Sequence, residues 1–142
     1  VSNVARPNVV LRKIAFIREH LQRVRLHQDV ALEVFLKDRD RQDIVCFNLY
    51  QAIQACMDLA NHLVSDEGWG LPGSYGETAD ILVRQKVISS EQAAIFHDMI
   101  SFRNRIVKDF AEIDFNRVHE IMTSHLQDID AFIMSVVEYL HL

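Results

Sequence analysis

The sequence predicts an all-α protein, an up-and-down bundle in its main helices. Apolar residues recur at spacings of three and four along most of the chain, which is the period of a helix with one buried stripe. No stretch alternates convincingly at period two, as a half-buried strand would. All four glycines fall between Gly68 and Gly76, so the long segments on either side run free of breakers.

The first helix is expected from Pro7, which suits an early helical position, to about His27. Val10, Ile14, Ile17, Leu21 and Val24 form its apolar stripe, with Arg12, Glu19, Gln22 and Arg23 off it. Asp29 is placed to cap a short helical piece from Ala31 to Leu36, and the charged residues from Lys37 to Asp43 link it onward. The second long helix is expected from about Asp40 to Ser65. Val45, Leu49, Ala52, Cys56, Leu59 and Leu63 form its stripe, while Gln51, Gln54, Asp58 and Asn61 make a polar seam on another face. Such a seam is either a solvent face or the wall of a polar pocket. The segment from Gly68 to Gly76 is a loop; no Lys-Ser/Thr follows its glycines and no strand precedes them, which rejects a phosphate-cradling P-loop. Ser74 with Glu77 and Ser89 with Gln92 have capping-box spacing, so helices start there, the first running to about Lys86. Asp114 caps a last helix whose inward face is Val118, Met122, Ile129, Phe132, Val136 and Leu140.

At 142 residues, 49% of them apolar, the chain is expected to be a single domain over residues 1–142 with a proper core. No apolar run is long enough to cross a bilayer, and Arg6 and Pro7 interrupt the N-terminal stretch where a signal peptide would need continuity. Cys46 and Cys56, ten apart on one helix, are too distant for a disulfide along it, so reduced thiols and a cytoplasmic location are expected. The net charge of −5 is unevenly spread. Arg6, Arg12, Lys13, Arg18, Arg23 and Arg25 face only Glu19 in residues 1–27, whereas the chain beyond Lys108 is acidic apart from Arg117. Nucleic-acid binding needs only a local cationic surface, so the acidic total does not exclude it; a solvated helix face balanced by an acidic neighbour is the ordinary explanation.

The stretch from Ser101 to Phe110 carries Arg103, Arg105 and Lys108 within six positions of a run that reads as helix. Phe102, Ile106 and Phe110 make a stripe, with Arg103 and Asn104 on its flank. A guanidinium there needs either a core carboxylate or an anion from outside. Arg103-Asn104-Arg105-Ile106-Val107-Lys108-Asp109-Phe110, followed by Ala111 to Asp114, resembles the signature of the HEPN-domain (HepT-like) toxins of HEPN/MNT toxin–antitoxin pairs, R-N-x-x-V-H-x-Y, a form of R-x(4–6)-H. Gln54 to His62, the Gly/Pro loop and Ile81 to Ile88 also follow that family's layout, so the resemblance covers nearly the whole chain. Lys108 stands in place of the family's histidine, and Phe110 in place of its tyrosine.

The resemblance implies a HEPN-type helical bundle that dimerises through helices. It also implies metal-independent RNA cleavage in a composite cleft between two protomers. A base would take the ribose 2′-hydroxyl proton and a cation would stabilise the phosphorane. The catalytic positions are then Arg103 and Lys108, with Asn104, Arg105, Asp58 and Asn61 as RNA-binding or supporting residues. The implied partners are a second copy, RNA and a minimal nucleotidyltransferase (MNT) antitoxin, with no membrane, metal or cofactor. Lysine has a reference pKa of about 10.4 and is a poor base at neutral pH, so an impaired ribonuclease is implied. The alternative is an inactive HEPN dimer that binds RNA or the nucleotidyltransferase; a helical dimer with no nucleic-acid role is a third reading. Phe110 occupies the position where the family's tyrosine receives AMP, and it lacks the hydroxyl.

Other constellations carry little. Glu138 and His141 have di-iron spacing but no second such pair exists in the sequence. His97, His119 and His125 lack zinc-like spacing with cysteines. No nucleophile-elbow motif is present. Asp58 and His62, four apart, have the form of a common surface pair.

Overall fold

The computed structural model describes residues 7–142; Arg6, counted above in the N-terminal cationic run and as a break in the apolar stretch, lies outside the described residues. The described residues form helices and no strand: α1 Pro7–Arg25, α2 Leu32–Phe35, α3 Arg39–Asp66, α4 Tyr75–Arg84, α5 Ser90–Lys108, a 3-10 turn Phe110–Glu112, α6 Phe115–Ser124 and α7 Leu126–Leu140. This is the all-α bundle that the periodicity predicts.

The 28-residue α3 is the axis of the bundle, roughly 42 Å long at the α-helical rise. It buries more than one stripe: besides Val45, Leu49, Ala52, Cys56, Leu59 and Leu63, the side chains of Ile53, Met57, Ala60 and Val64 are inside. The reason is its position, since α1, α4, α5, α6 and α7 all pack on it. On α1 the five stripe residues named from the sequence are the five that are buried. Side chains of Ser74, Ser89 and Asp114 cap α4, α5 and α6 by accepting from Glu77, Gln92 and Asn116 backbone N–H, and Ser89 with Gln92 closes a full capping box. The start of α3 lies at Arg39 because Asp38 accepts from the Arg41 N–H, so the charged link is shorter than expected.

The cap expected of Asp29 is not made, since Ala31 stands at the N-cap of α2 with no side-chain bond. Two boundaries also depart from the sequence reading. The last helix is two helices, divided at His125 (φ −124°, ψ 6°). There is no Gly or Pro there. Instead the Gln28 amide donates to the Met122 carbonyl and the Gln127 amide to the Ser124 carbonyl, so side chains take two of the carbonyls that would continue the helix. The bend keeps Val118 and Met122 on α6 and Ile129, Phe132 and Val136 on α7 against one core, with Leu140 only partly covered. Helix α5 in turn ends at Lys108, because Asp109 leaves the helical region (φ −153°, ψ 59°). Phe110 therefore sits in the 3-10 turn, not on the α5 stripe, and packs edge-on against Phe115 at 6.3 Å between centroids.

Cys46 and Cys56 are free and buried. Burial, with Asp43 adding a smaller contribution, pushes the Cys46 thiol up to about 12. Burial raises Cys56 as well, with Asp130 adding to it. The basic α1 and acidic α7 are tied by an ion pair between Arg25 and Asp130. Among the described residues no helix is long and apolar enough to cross a membrane.

Candidate functional site

Helix α5 lies against α3 so that Arg103, on the flank of its buried stripe, comes down beside the polar seam of α3. Its Nε donates to Gln54 Oε1 at 2.8 Å, and Nη1 donates to Asn104 Oδ1 at 2.9 Å. The guanidinium carbon lies 5.7 Å from the centre of the Tyr50 ring, a cation–π distance. Gln54 is held in turn, its Nε2 donating to Asp58 Oδ1 at 3.1 Å. Tyr50, Gln54 and Asp58 are four apart on α3, one turn above another, so helix geometry alone lines them up beneath Arg103.

The electrostatics of this arrangement matter more than its hydrogen bonds. Both acceptors of Arg103 are neutral amides, and no carboxylate pairs with it among the described residues. The ordinary explanation for an arginine on a buried flank, a core carboxylate, therefore does not hold here. Of the five guanidinium N–H groups, two are committed to the protein, and the remaining three leave one edge of the fork open. An unneutralised, half-buried and fixed guanidinium fits a phosphate.

The other residues named from the sequence are distributed as follows. Asn104 joins Arg103 directly. Asp58 joins through Gln54 and also lines a hollow with Arg12, Lys13 and Phe16. Asn61, the last member of the seam, is engaged elsewhere: its Oδ1 accepts from the buried Thr78 hydroxyl at 2.6 Å, a bond that locks α4 to α3. His62 Nε2 lies 3.2 Å from Asp66 Oδ2, outside hydrogen-bond geometry, while Asp58 accepts from Gln54. Arg105 is exposed on the other flank of α5, at a hollow it shares with Asp98, Ser101, Asp114 and Arg117. A neighbouring cavity of about 360 Å³ on that flank has an apolar wall of Ile53, Met99, Phe102 and Ile129. Lys108 and Arg105 lie in the last turn of α5, where cations also offset the negative end of the helix dipole.

Arg103 and Lys108 do not converge within one copy of the chain. The helix is unbroken between them, so they stand about 140° apart around its axis and roughly 7.5 Å apart along it. Of the two ways to bring them together, a break in the helix and a crossing between copies, the first is absent. Val107, 54% exposed, lies on the arc between their directions. Tyr50 is the site residue that the polar pattern of α3 does not name; its signal is the four-residue step Tyr50, Gln54, Asp58.

A family model described as "Ribonuclease HepT-like" matches residues 17–136. The chain is similar to the mRNA nuclease HepT of Shewanella oneidensis, 28% identical over 126 residues that span 89% of this chain and 94% of that protein. It is also similar to the tRNA nuclease HepT of Aphanizomenon flos-aquae, 22% identical over 134 residues, 94% of this chain and 91% of that protein. Among solved structures it matches the tri-AMPylated HEPN toxin of Shewanella oneidensis in complex with MNT antitoxin. There the TM-score is 0.86 at 26% identity, over 94% of this chain and 99% of that one. The cytosolic protein YutE of Bacillus subtilis, 19% identical with a TM-score of 0.80 over 99% of this chain and 94% of that one, shares the fold.

Proposed function

The chain belongs to the ribonuclease HepT-like family, and from that premise we propose that it is the toxin of a HEPN/MNT pair, an endoribonuclease that works without a metal. The observation that carries this reading is Arg103: a half-buried guanidinium fixed by Gln54, Asn104 and the Tyr50 face, with no carboxylate to cancel its charge. Its open edge takes the scissile phosphate and stabilises the charge that builds on it. The ribose 2′-oxygen gives up its proton to the weak base Lys108 and attacks phosphorus, and the 5′-oxygen of the next nucleotide leaves, taking a proton from water. Asn104 and Gln54 position that group.

The active unit is a homodimer. Unbroken α5 directs Arg103 and Lys108 apart, so a shared cleft needs Arg103 of one copy and Lys108 of the other, with the exposed Val107 near the seam. Lys108 contributes a second cation to that cleft and is a weak substitute for a histidine base, so turnover is slow. The partner is a minimal nucleotidyltransferase, as in the complexes of the structural neighbours. Phe110 offers no hydroxyl to modify, so this partner restrains the chain by binding and not by AMP transfer at that position. The protein acts in the cytosol, as one helical domain.

Lys108 keeps a second reading open, an inactive dimer that binds RNA or the nucleotidyltransferase. Incubating purified protein in excess over total RNA, with chelator present, separates the two. Slow cleavage that Arg103→Ala abolishes supports the ribonuclease. RNA retained but uncut supports the binding dimer. Neither binding nor cleavage overturns both.

A further inference from the structure

The outer side of the α1–α3 pair interleaves aromatic and cationic side chains. Arg12, Phe16, His20 and Arg23 step by four, four and three along α1 and share one face, with Lys13 beside them. The Phe16 and His20 rings are 4.4 Å apart between centroids, and Phe47 of α3 meets His20 edge-on at 6.3 Å. Phe16 is 41% and Phe47 57% exposed, so both keep a large part of the side chain in water. Beside Phe16 the surface dips into a hollow of about 400 Å³ lined by Arg12, Lys13, Ala55 and Asp58. Tyr50, one turn on from Phe47 along α3, carries the Arg103 guanidinium, which places the arginine site next along the helix.

His20 is oriented by a chain of hydrogen bonds. Asn48 Nδ2 donates to the Ile44 carbonyl at 2.8 Å, which fixes the amide so that Oδ1 faces the imidazole, 2.7 Å from Nδ1. Nδ1 of the neutral ring must then carry the proton, and Nε2 is a hydrogen-bond acceptor. A ring pinned this way, between Phe16 and Phe47, can accept from the N–H edge of a planar group lying on the same face.

We propose that this face is a platform for single-stranded RNA: bases stack on Phe16 and Phe47, one donates an N–H to His20 Nε2, phosphates follow Arg12, Lys13 and Arg23, and the strand leads to Arg103. The proposal rests on the RNA-directed function above and extends it to a surface outside the motif. Aromatic faces interleaved with cations are what an unpaired strand needs, since every base has a π-face and every linkage a charge. Charge favours an anionic strand over a second copy of the chain here. An isologous contact would bring Arg12, Lys13 and Arg23 of both copies together, with Glu19 of α1 and Asp58 at the rim of the hollow as the acids to offset them. Lys13 and Arg23 make no ion pair among the described residues, whereas Arg25, on another side of α1, is already paired with Asp130.

The test is fluorescence anisotropy with a short 2′-O-methyl oligoadenylate, which cannot be cleaved, across a salt series. Phe47→Ala should weaken binding by about 5- to 150-fold, the usual worth of one stacked base, without changing the salt slope. Lys13→Ala and Arg23→Ala should each flatten that slope by about 0.7. Phe47→Tyr should bind like the parent, and Phe47→Leu, which keeps apolar volume but no ring face, should fail like Phe47→Ala even if the alanine variant is poorly folded. Parent-like binding by Phe47→Ala and Phe47→Leu, with Arg103→Ala impaired, overturns the platform and leaves the ribonuclease reading standing. If those Phe47 variants also lose mass in solution, a second copy covers the face and the proposal is wrong. A parent protein with no affinity for the oligonucleotide overturns both.

Discussion

Gln54→Glu replaces the neutral acceptor of Arg103 by a carboxylate of nearly the same shape. The geometry can persist, since an oxygen still stands about where Gln54 Oε1 lies, 2.8 Å from Nε. The charge cannot. An ion pair near a protein surface is worth up to about 4 kcal/mol at 4 Å with an effective dielectric of 20, but exposed pairs retain only about 0–1 kcal/mol. Arg103 is half-buried, and the substitution also turns the Gln54–Asp58 bond into a like-charge pair four apart, which costs a few tenths of a kcal/mol. Stability should therefore change by no more than about 1 kcal/mol. Phosphate binding should change far more. Arg103, now neutralised, loses a charge-assisted bond of about 1.5–3 kcal/mol, or roughly 10- to 150-fold in affinity and in single-turnover cleavage. Gln54→Leu, which frees the charge but loses the anchor, should lose less affinity than Gln54→Glu. Oligonucleotide binding, RNA cleavage and thermal melting of the three proteins measure this directly. A Gln54→Glu protein that binds and cuts RNA like the parent would refute the assignment of Arg103 as the phosphate-facing group.

Asn61→Ala removes the acceptor of the buried Thr78 hydroxyl, so it should lower stability by about 1–2 kcal/mol in denaturant melts and leave RNA affinity unchanged. Cys46 and Cys56 should be inert to aromatic disulfide reagents in the native protein and titrate as two thiols in denaturant, because both are buried with raised thiols. The same shifts predict an alkaline limit. Cys46 rises from 9.0 to about 12 and Tyr139 from 10.0 to about 12, the latter through burial and its hydrogen bond to Glu67, so the folded state holds these protons more tightly than the unfolded chain. Their contribution is complete below about pH 9 and is lost as pH rises through about 12, so Tm should fall over that window. Phe110→Tyr, changing a side chain in the 3-10 turn outside α5, should not restore cleavage in the same RNA assay, since it supplies an acceptor for AMP and no base.

Periodicity made the core legible wherever one face of a helix is buried. On α1 each stripe residue was identifiable, and the caps at Ser74, Ser89 and Asp114 followed from side chains that bond their own backbone. The rest depended on partners distant in sequence. The break at His125 has no Gly or Pro to announce it, and arises from Gln28, distant in sequence, and Gln127 taking helix carbonyls. His62 had carboxylates four residues away on both sides, and only packing selects Asp66. The polar seam was readable as a pattern, but its members divide between two jobs, Gln54 holding Arg103 across 49 residues and Asn61 holding Thr78. His20 and Asn48 sit on separate helices, 28 residues apart, and no local signal couples them.

The proposed role of Arg103, holding a scissile RNA phosphate in a cleft where Lys108 stands in for a base, is best tested by single-turnover cleavage of total RNA, in chelator, by Lys108→His and by Lys108→His with Arg103→Ala. Lys108 is exposed at the end of α5, so its replacement should not disturb the fold. Lys108→His should cleave about a hundred- to ten-thousand-fold faster than the parent, the usual contribution of a general base, and adding Arg103→Ala should remove the gain. A folded, dimeric Lys108→His protein that leaves RNA uncut would contradict that role.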